Sequence, residues 1–168
     1  MTITPGKLGI KVNTGVLKRD TELFGKMDPF VSITIGTQTK RTSTHKRGGK
    51  NPRWNGEVLE FDITSAHESE MKLTVYDEES IKKNDTVGHA VFFLHGVTKG
   101  DIVQKPIEIL YKGKMAGTVY VDFDFKTRMG QNVGAKLLAG LNLGGLGAAS
   151  AGGVKPVVEE QKQAAAMQ

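Results

Sequence analysis

The segment Val75 to Gly88, VYDEESIKKNDTVG, places Asp77, Glu78, Glu79 and Asp85 close together in a 168-residue chain whose formal net charge is +5. Asp77 and Glu79 stand two apart at the end of an alternating stretch. An extended backbone therefore turns both side chains to one side and Glu78 to the other. Asp85 returns to the same loop, and Gly88 opens the stretch that follows. Three carboxylates facing one loop mouth repel each other, and a hard cation relieves that repulsion. Calcium takes about six to eight oxygens, more than this loop offers, so a second loop has to contribute. An EF-hand is excluded: its sixth position, where glycine is needed, is Lys82, and its twelfth, where glutamate is needed, is Gly88.

The second loop is LKRDTELFGKMDPFVSI, with Asp28 just before Pro29, Glu22 upstream and Asp20 nearby. Three motifs in order, GKMDPFVSI, the NPRWN turn at Asn51 to Asn55, and the spacing of Asp77, Glu79, Asp85 and Gly88, resemble the C2 domain, the calcium-dependent lipid-binding module. The resemblance runs from about Lys7 to Phe125. Within that family, LKRDTELFGKMDPF is most similar to small single-domain proteins related to plant elicitor-responsive and cold-regulated C2 proteins. It implies a calcium site at Glu22, Asp28, Asp77, Glu79 and Asp85, where the family usually has five aspartates. Two of the five are glutamate here, whose extra methylene moves the carboxylate outward. Asp20 is an alternative to Glu22 if the loop bulges, and backbone carbonyls near Leu23 and Lys83 are candidates to complete the shell. The same residues also fit a solvated acidic loop on a domain that has lost calcium.

Apolar residues interrupt both acidic loops. Leu23 and Phe24 follow Glu22, and Ile81 lies between Asp77 and Asp85, where loop tips are ordinarily polar. The resemblance implies that these tips enter a lipid interface, with Lys26, Lys82 and Lys83 adding positive charge that favours an anionic surface. Folding of Leu23 or Phe24 back onto the domain is the alternative. A second basic segment, KRTSTHKRGGKNPRW, carries Lys40, Arg41, Lys46, Arg47, Lys50 and Arg53 with no acidic residue among them. The resemblance places it on a strand and the adjoining loop, where many C2 domains take phosphoinositide headgroups; a solvated edge that deters strand pairing fits equally well. No aromatic residue interleaves the basic run before Trp54, which itself reads as a core or turn anchor, so nucleic acid is not the expected partner.

The elements that must position these residues are strands. Leu8, Ile10 and Val12, then Val31, Ile33 and Ile35, Leu59, Phe61 and Ile63, Met71, Leu73 and Val75, and Val119, Val121, Phe123 and Phe125 each alternate with polar neighbours. AVFFLHGV is a continuous apolar run of strand length, and IEILY is another candidate. The pattern predicts an all-β, eight-stranded antiparallel β-sandwich over residues 1–126, its loops gathered at two ends. Residues 127–168 read as a separate Gly/Ala-rich tail, flexible or ordered on a protein partner through Leu137, Leu138, Leu141, Leu143 and Leu146.

Hydrophobic residues make up 38% of the chain, enough for one core. There is no cysteine, and no basic-then-apolar leader opens the sequence, which favours a cytoplasmic setting. No G-x-S-x-G elbow, phosphate-binding loop or H-E-x-x-H pair occurs, and His89 and His95 read as structural histidines, so no catalytic function is expected. Two functions remain: calcium-dependent binding of anionic phospholipid as a peripheral membrane protein, or a calcium-independent scaffold in a larger assembly that uses the basic segment and the tail.

Overall fold

Alternation of apolar and polar residues builds eight strands in the computed structural model, which describes residues 4–99 and 102–128. They are β1 (Gly6–Leu17), β2 (Pro29–Ile35), β3 (Gln38–Arg41), β4 (Val58–Ile63), β5 (Glu70–Asp77), β6 (Asp85–Phe93), β7 (Ile102–Tyr111) and β8 (Lys114–Thr127). All pair antiparallel in the order β3-β2-β5-β6-β7-β8-β1-β4. The ribbon is continuous but nearly parts at its middle, where β6 and β7 meet only at His89 and Leu110. Each four-stranded half therefore supplies one wall of a shared core. Val31, Ile33, Leu73 and Val75 from one half and Ile10, Phe61, Val121 and Phe123 from the other are all but fully buried in it. The residues beyond 128, where most of the expected tail falls, lie outside the described residues.

The far edges of the ribbon are tied together by one side chain. Gln38 on β3 donates from Nε2 to the Asp62 carbonyl at 2.7 Å and accepts from the Asp62 N–H at 3.0 Å, so its amide mimics a strand partner for β4. Trp54 fixes the NPRWN turn as the anchor its context suggests. It is 1% exposed, its indole N–H donates to the Pro29 carbonyl at 3.0 Å, and its own N–H donates to the Asn13 carbonyl at 2.9 Å. Asn13 is free to accept because β1 bulges between Val12 and Thr14 against β8.

AVFFLHGV is not one strand. β6 stops at Phe93 and a 3-10 turn follows over Leu94–Lys99, because Leu94 and Val97, three apart, both bury while Val91 and Phe93 stay 51% and 66% exposed. His89 and His95 are both exposed. No helix among the described residues is long and apolar enough to cross a membrane.

Candidate functional site

Strand register brings the acidic residues together. Asp77, the last residue of β5, pairs with Pro29 at the start of β2 on one side and with Asp85 at the start of β6 on the other. Asp28 is thereby set beside Asp77 and Glu78, and the Glu78 N–H donates to the Asp28 carbonyl oxygen at 3.0 Å. Met27, fully buried just before Asp28, pins the β1–β2 loop where it joins β2.

Asp77 is the centre of the arrangement and is 1% exposed. Its Oδ1 accepts from the Asp28 N–H and its Oδ2 from the Thr21 hydroxyl, both at 2.6 Å, so the carboxylate is fixed by two donors from the neighbouring loop. One oxygen from each of Glu22, Asp77 and Glu79 lies within 4.8 Å of the others. Partial desolvation, reinforced by the charges of Asp77 and Glu79, raises the Glu22 carboxyl above its ordinary pKa.

The outer carboxylates are held by a backbone amide and by cations of the chain itself. Asp28 Oδ1 accepts from the Arg47 N–H at 2.6 Å, and its Oδ2 is 3.3 Å from Lys46 Nζ. Lys82 Nζ lies 2.8 Å from Asp85 and 3.3 Å from Glu79. Hydrogen bonding to Lys82 lowers the Asp85 pKa, and the two carboxylates raise that of Lys82 in return. Much of the repulsion expected among these acids is thus answered within the chain. Glu22, by contrast, forms no ion pair among the described residues. Asp20 accepts from the Glu22 N–H at 3.1 Å and lies 3.8 Å from Lys50; it is not one of the three clustered carboxylates, although its charge also raises the Glu22 pKa.

Glu78 lines the same cleft as Asp77 and Glu79 and meets the basic segment. Its carboxylate is 2.8 Å from Arg41 and 2.7 Å from Lys46, contacts that hold its pKa down to about 2. The Arg41 guanidinium lies over the Phe30 ring, 3.7 Å from its centroid, and Phe30 stacks on Tyr76 at 5.4 Å. The six basic residues consequently do not form one strip. Arg41, Lys46, Arg47 and Lys50 fold against the acidic end, Lys40 lies over the Phe61 ring at 5.8 Å, and Arg53 bridges to Thr14 on β1.

Leu23, Phe24 and Ile81 are 92%, 91% and 99% exposed, so none folds back onto the domain. They flank an open cleft of ≈ 630 Å³ whose walls include Glu22, Asp28, Asp77 and Glu79. Lys26, Lys82 and Lys83 are exposed at the same end. Sequence reasoning missed Thr21, which clamps Asp77, and Asn84, whose side chain accepts from the Glu79 N–H at 2.9 Å to shape the second loop. It also missed Lys82 as a counter-ion, although its place three residues from both Glu79 and Asp85 was a signal.

The donor set suits calcium. It offers hard oxygens only, and their spacing within 4.8 Å is close to what a single ion coordinated at roughly 2.3–2.6 Å needs. Glu22, Asp77 and Glu79 supply three such oxygens, Glu79 while also 3.3 Å from Lys82, and Asp28 and Asp85 flank them.

A family model described as C2 domain matches residues 6–109. The chain is 35% identical over 103 residues to ingression protein fic1 of Schizosaccharomyces pombe, a match covering 61% of this chain and 38% of that protein. It is 27% identical over 132 residues to synaptotagmin-2 of Arabidopsis thaliana, covering 72% of this chain and 24% of the relative. The chain thus spans well under half the length of these two proteins. Among solved structures, a C2 domain-containing protein from a putative elicitor-responsive gene superposes with a TM-score of 0.64 at 25% identity, over 74% of this chain and 91% of the other.

Proposed function

The chain belongs to the C2 domain family, and from that premise we propose that it binds anionic phospholipid surfaces in a calcium-dependent way, without catalysis, as a peripheral membrane protein. Membership of the family supports lipid binding in general. The observation that carries the calcium reading is the position of the Glu22, Asp77 and Glu79 oxygens, within 4.8 Å of one another and between the exposed tips Leu23, Phe24 and Ile81.

Calcium held by these three, with Asp28 and Asp85 at the rim, would supply positive charge to an acidic end that otherwise repels phosphate. This chain's own residues do the rest. Thr21 and the Asp28 N–H hold Asp77 in place, the apolar tips enter the headgroup region, and Lys26 and Lys83 add about 1 kcal/mol each near an anionic leaflet. Arg41 and Lys46 are engaged by Glu78, so they contribute less as free headgroup ligands than their number suggests.

A second reading has an observation of its own. Because Lys46 and Lys82 pair with Asp28, Glu79 and Asp85, and the Arg47 backbone N–H also donates to Asp28, part of the carboxylate charge is balanced without an ion. A calcium-independent adaptor that binds through its basic residues is consistent with that.

Thermal melts in chelator and in millimolar calcium separate the two. Binding at a hundredfold over the dissociation constant adds about 2.7 kcal/mol, so the midpoint rises clearly if the site is real. Asp77→Asn and Asp28→Asn should remove that rise, Asp77→Asn the more completely. Equal binding to phosphatidylserine vesicles in calcium and in chelator would falsify the calcium switch and favour the adaptor.

A further inference from the structure

Lys82 joins the carboxylates of the acidic end to the exposed apolar tip beside them. Its ammonium bridges Glu79 and Asp85, yet its backbone neighbours are Ile81, the most exposed apolar tip, and Lys83, for which the described residues hold no ion pair. Glu79 is also a member of the three-carboxylate cluster. A divalent ion seated on Glu79 would therefore share a carboxylate with an ammonium of the same sign, at a site where the Glu79 side chain is 17% exposed and that of Lys82 is 62% exposed.

We infer that Lys82 is a built-in competitor for the cation, and that its displacement is part of the membrane switch. This rests on the calcium reading above. Without the ion, Lys82 spends its charge on Glu79 and Asp85. With the ion in place the lysine is repelled, and its flexible four-carbon stem lets the ammonium swing outward to the plane of Ile81 and Lys83. Calcium thereby acts twice: it cancels carboxylate charge, and it releases a cation at the lipid-facing rim. Lys46 on Asp28 has no such role, since Glu78 retains it at 2.7 Å after Asp28 lets go.

The inference makes two demands of opposite sign. In calorimetric titration with calcium chloride and no lipid, Lys82→Gln should tighten calcium binding about three- to tenfold, because exposed ion pairs of this kind are weak but real competitors. The calcium-saturated Lys82→Gln protein should then bind phosphatidylserine vesicles several-fold more weakly than the parent. Lys82→Arg, which keeps the charge, should stay close to the parent in both assays, and Lys83→Gln should weaken vesicle binding while tightening calcium binding far less.

Calcium binding that is unchanged or weakened in Lys82→Gln overturns the competitor and leaves the calcium site standing. An equal tightening in Lys83→Gln also overturns it, reducing the effect to general charge. The absence of binding heat in every protein up to millimolar calcium removes the site itself, and the competitor with it.

Discussion

Glu78 lies next to two proposed ligands and yet belongs to another network. Held between Arg41 and Lys46, its carboxyl titrates at about 2 against an ordinary value of 4.5. A carboxyl depressed on folding stabilises the protein above its unfolded pKa, and that contribution is lost as pH falls through the folded value. Glu78→Gln should therefore lower stability near neutrality by about 1 kcal/mol, discounted for the solvent exposure of both cations. In urea unfolding the gap between variant and parent should close between pH 4.5 and pH 2. Parity alone would set Glu78 apart from Asp77, yet Glu78 lines the same cleft and shares Lys46 with Asp28. Its cation partners are 37 and 32 residues away and left no mark in its own neighbourhood.

At the scale of elements, the strands follow alternation until an extra residue enters. On β1, Leu8, Ile10 and Val12 face inward, but beyond the bulge the inward set changes parity: Leu17 is 3% exposed and Val16 50%. The bulge presents the Asn13 carbonyl to Trp54, so one irregularity both shifts the register and docks the turn. Trp54→Phe would remove the indole bond to the Pro29 carbonyl, which keeps the His45 N–H at 2.9 Å, at a cost of about 0.5–1.5 kcal/mol measurable by urea denaturation. Gly88 has a packing reason invisible in sequence. A Cβ there would sit 2.9 Å from the Ala116 Cβ and 3.0 Å from Ile109 Cδ1, where β6 closes on β7 and β8. Gly88→Ala should destabilise by about 1–3 kcal/mol, and because β6 starts at Asp85 it should also weaken calcium binding. The splitting of the AVFFLHGV run has the same kind of cause. Apolar content cannot distinguish a strand from a 3-10 turn, whereas burial of Leu94 and Val97 can.

The whole molecule carries a net charge of +5 while concentrating carboxylates at one end between exposed apolar tips. Replacing Leu23, Phe24 and Ile81 together with serine should leave the melting temperature within error of the parent, since all three are almost fully exposed. It should also weaken vesicle binding at least tenfold in co-sedimentation, the lost apolar insertion amounting to a few kcal/mol. A residual, salt-sensitive attachment would mark the share contributed by the lysines.

Period-two alternation and the punctuating turns were enough to specify an all-β domain of eight antiparallel strands, and the acidic spacing, through the family resemblance it carries, nominated the residues at its acidic end. Those properties are local, and a half-buried strand writes its period directly into the chain. Pairing was not local. Whether Asp28 faced the Asp77 cluster or the basic loop, whether Lys82 served the lipid or the carboxylates, and whether the basic segment stayed one surface all depended on strands meeting across tens of residues. Tertiary structure decided them because a charged side chain takes the nearest partner in space, and only the register of β2, β5 and β6 sets which partner that is.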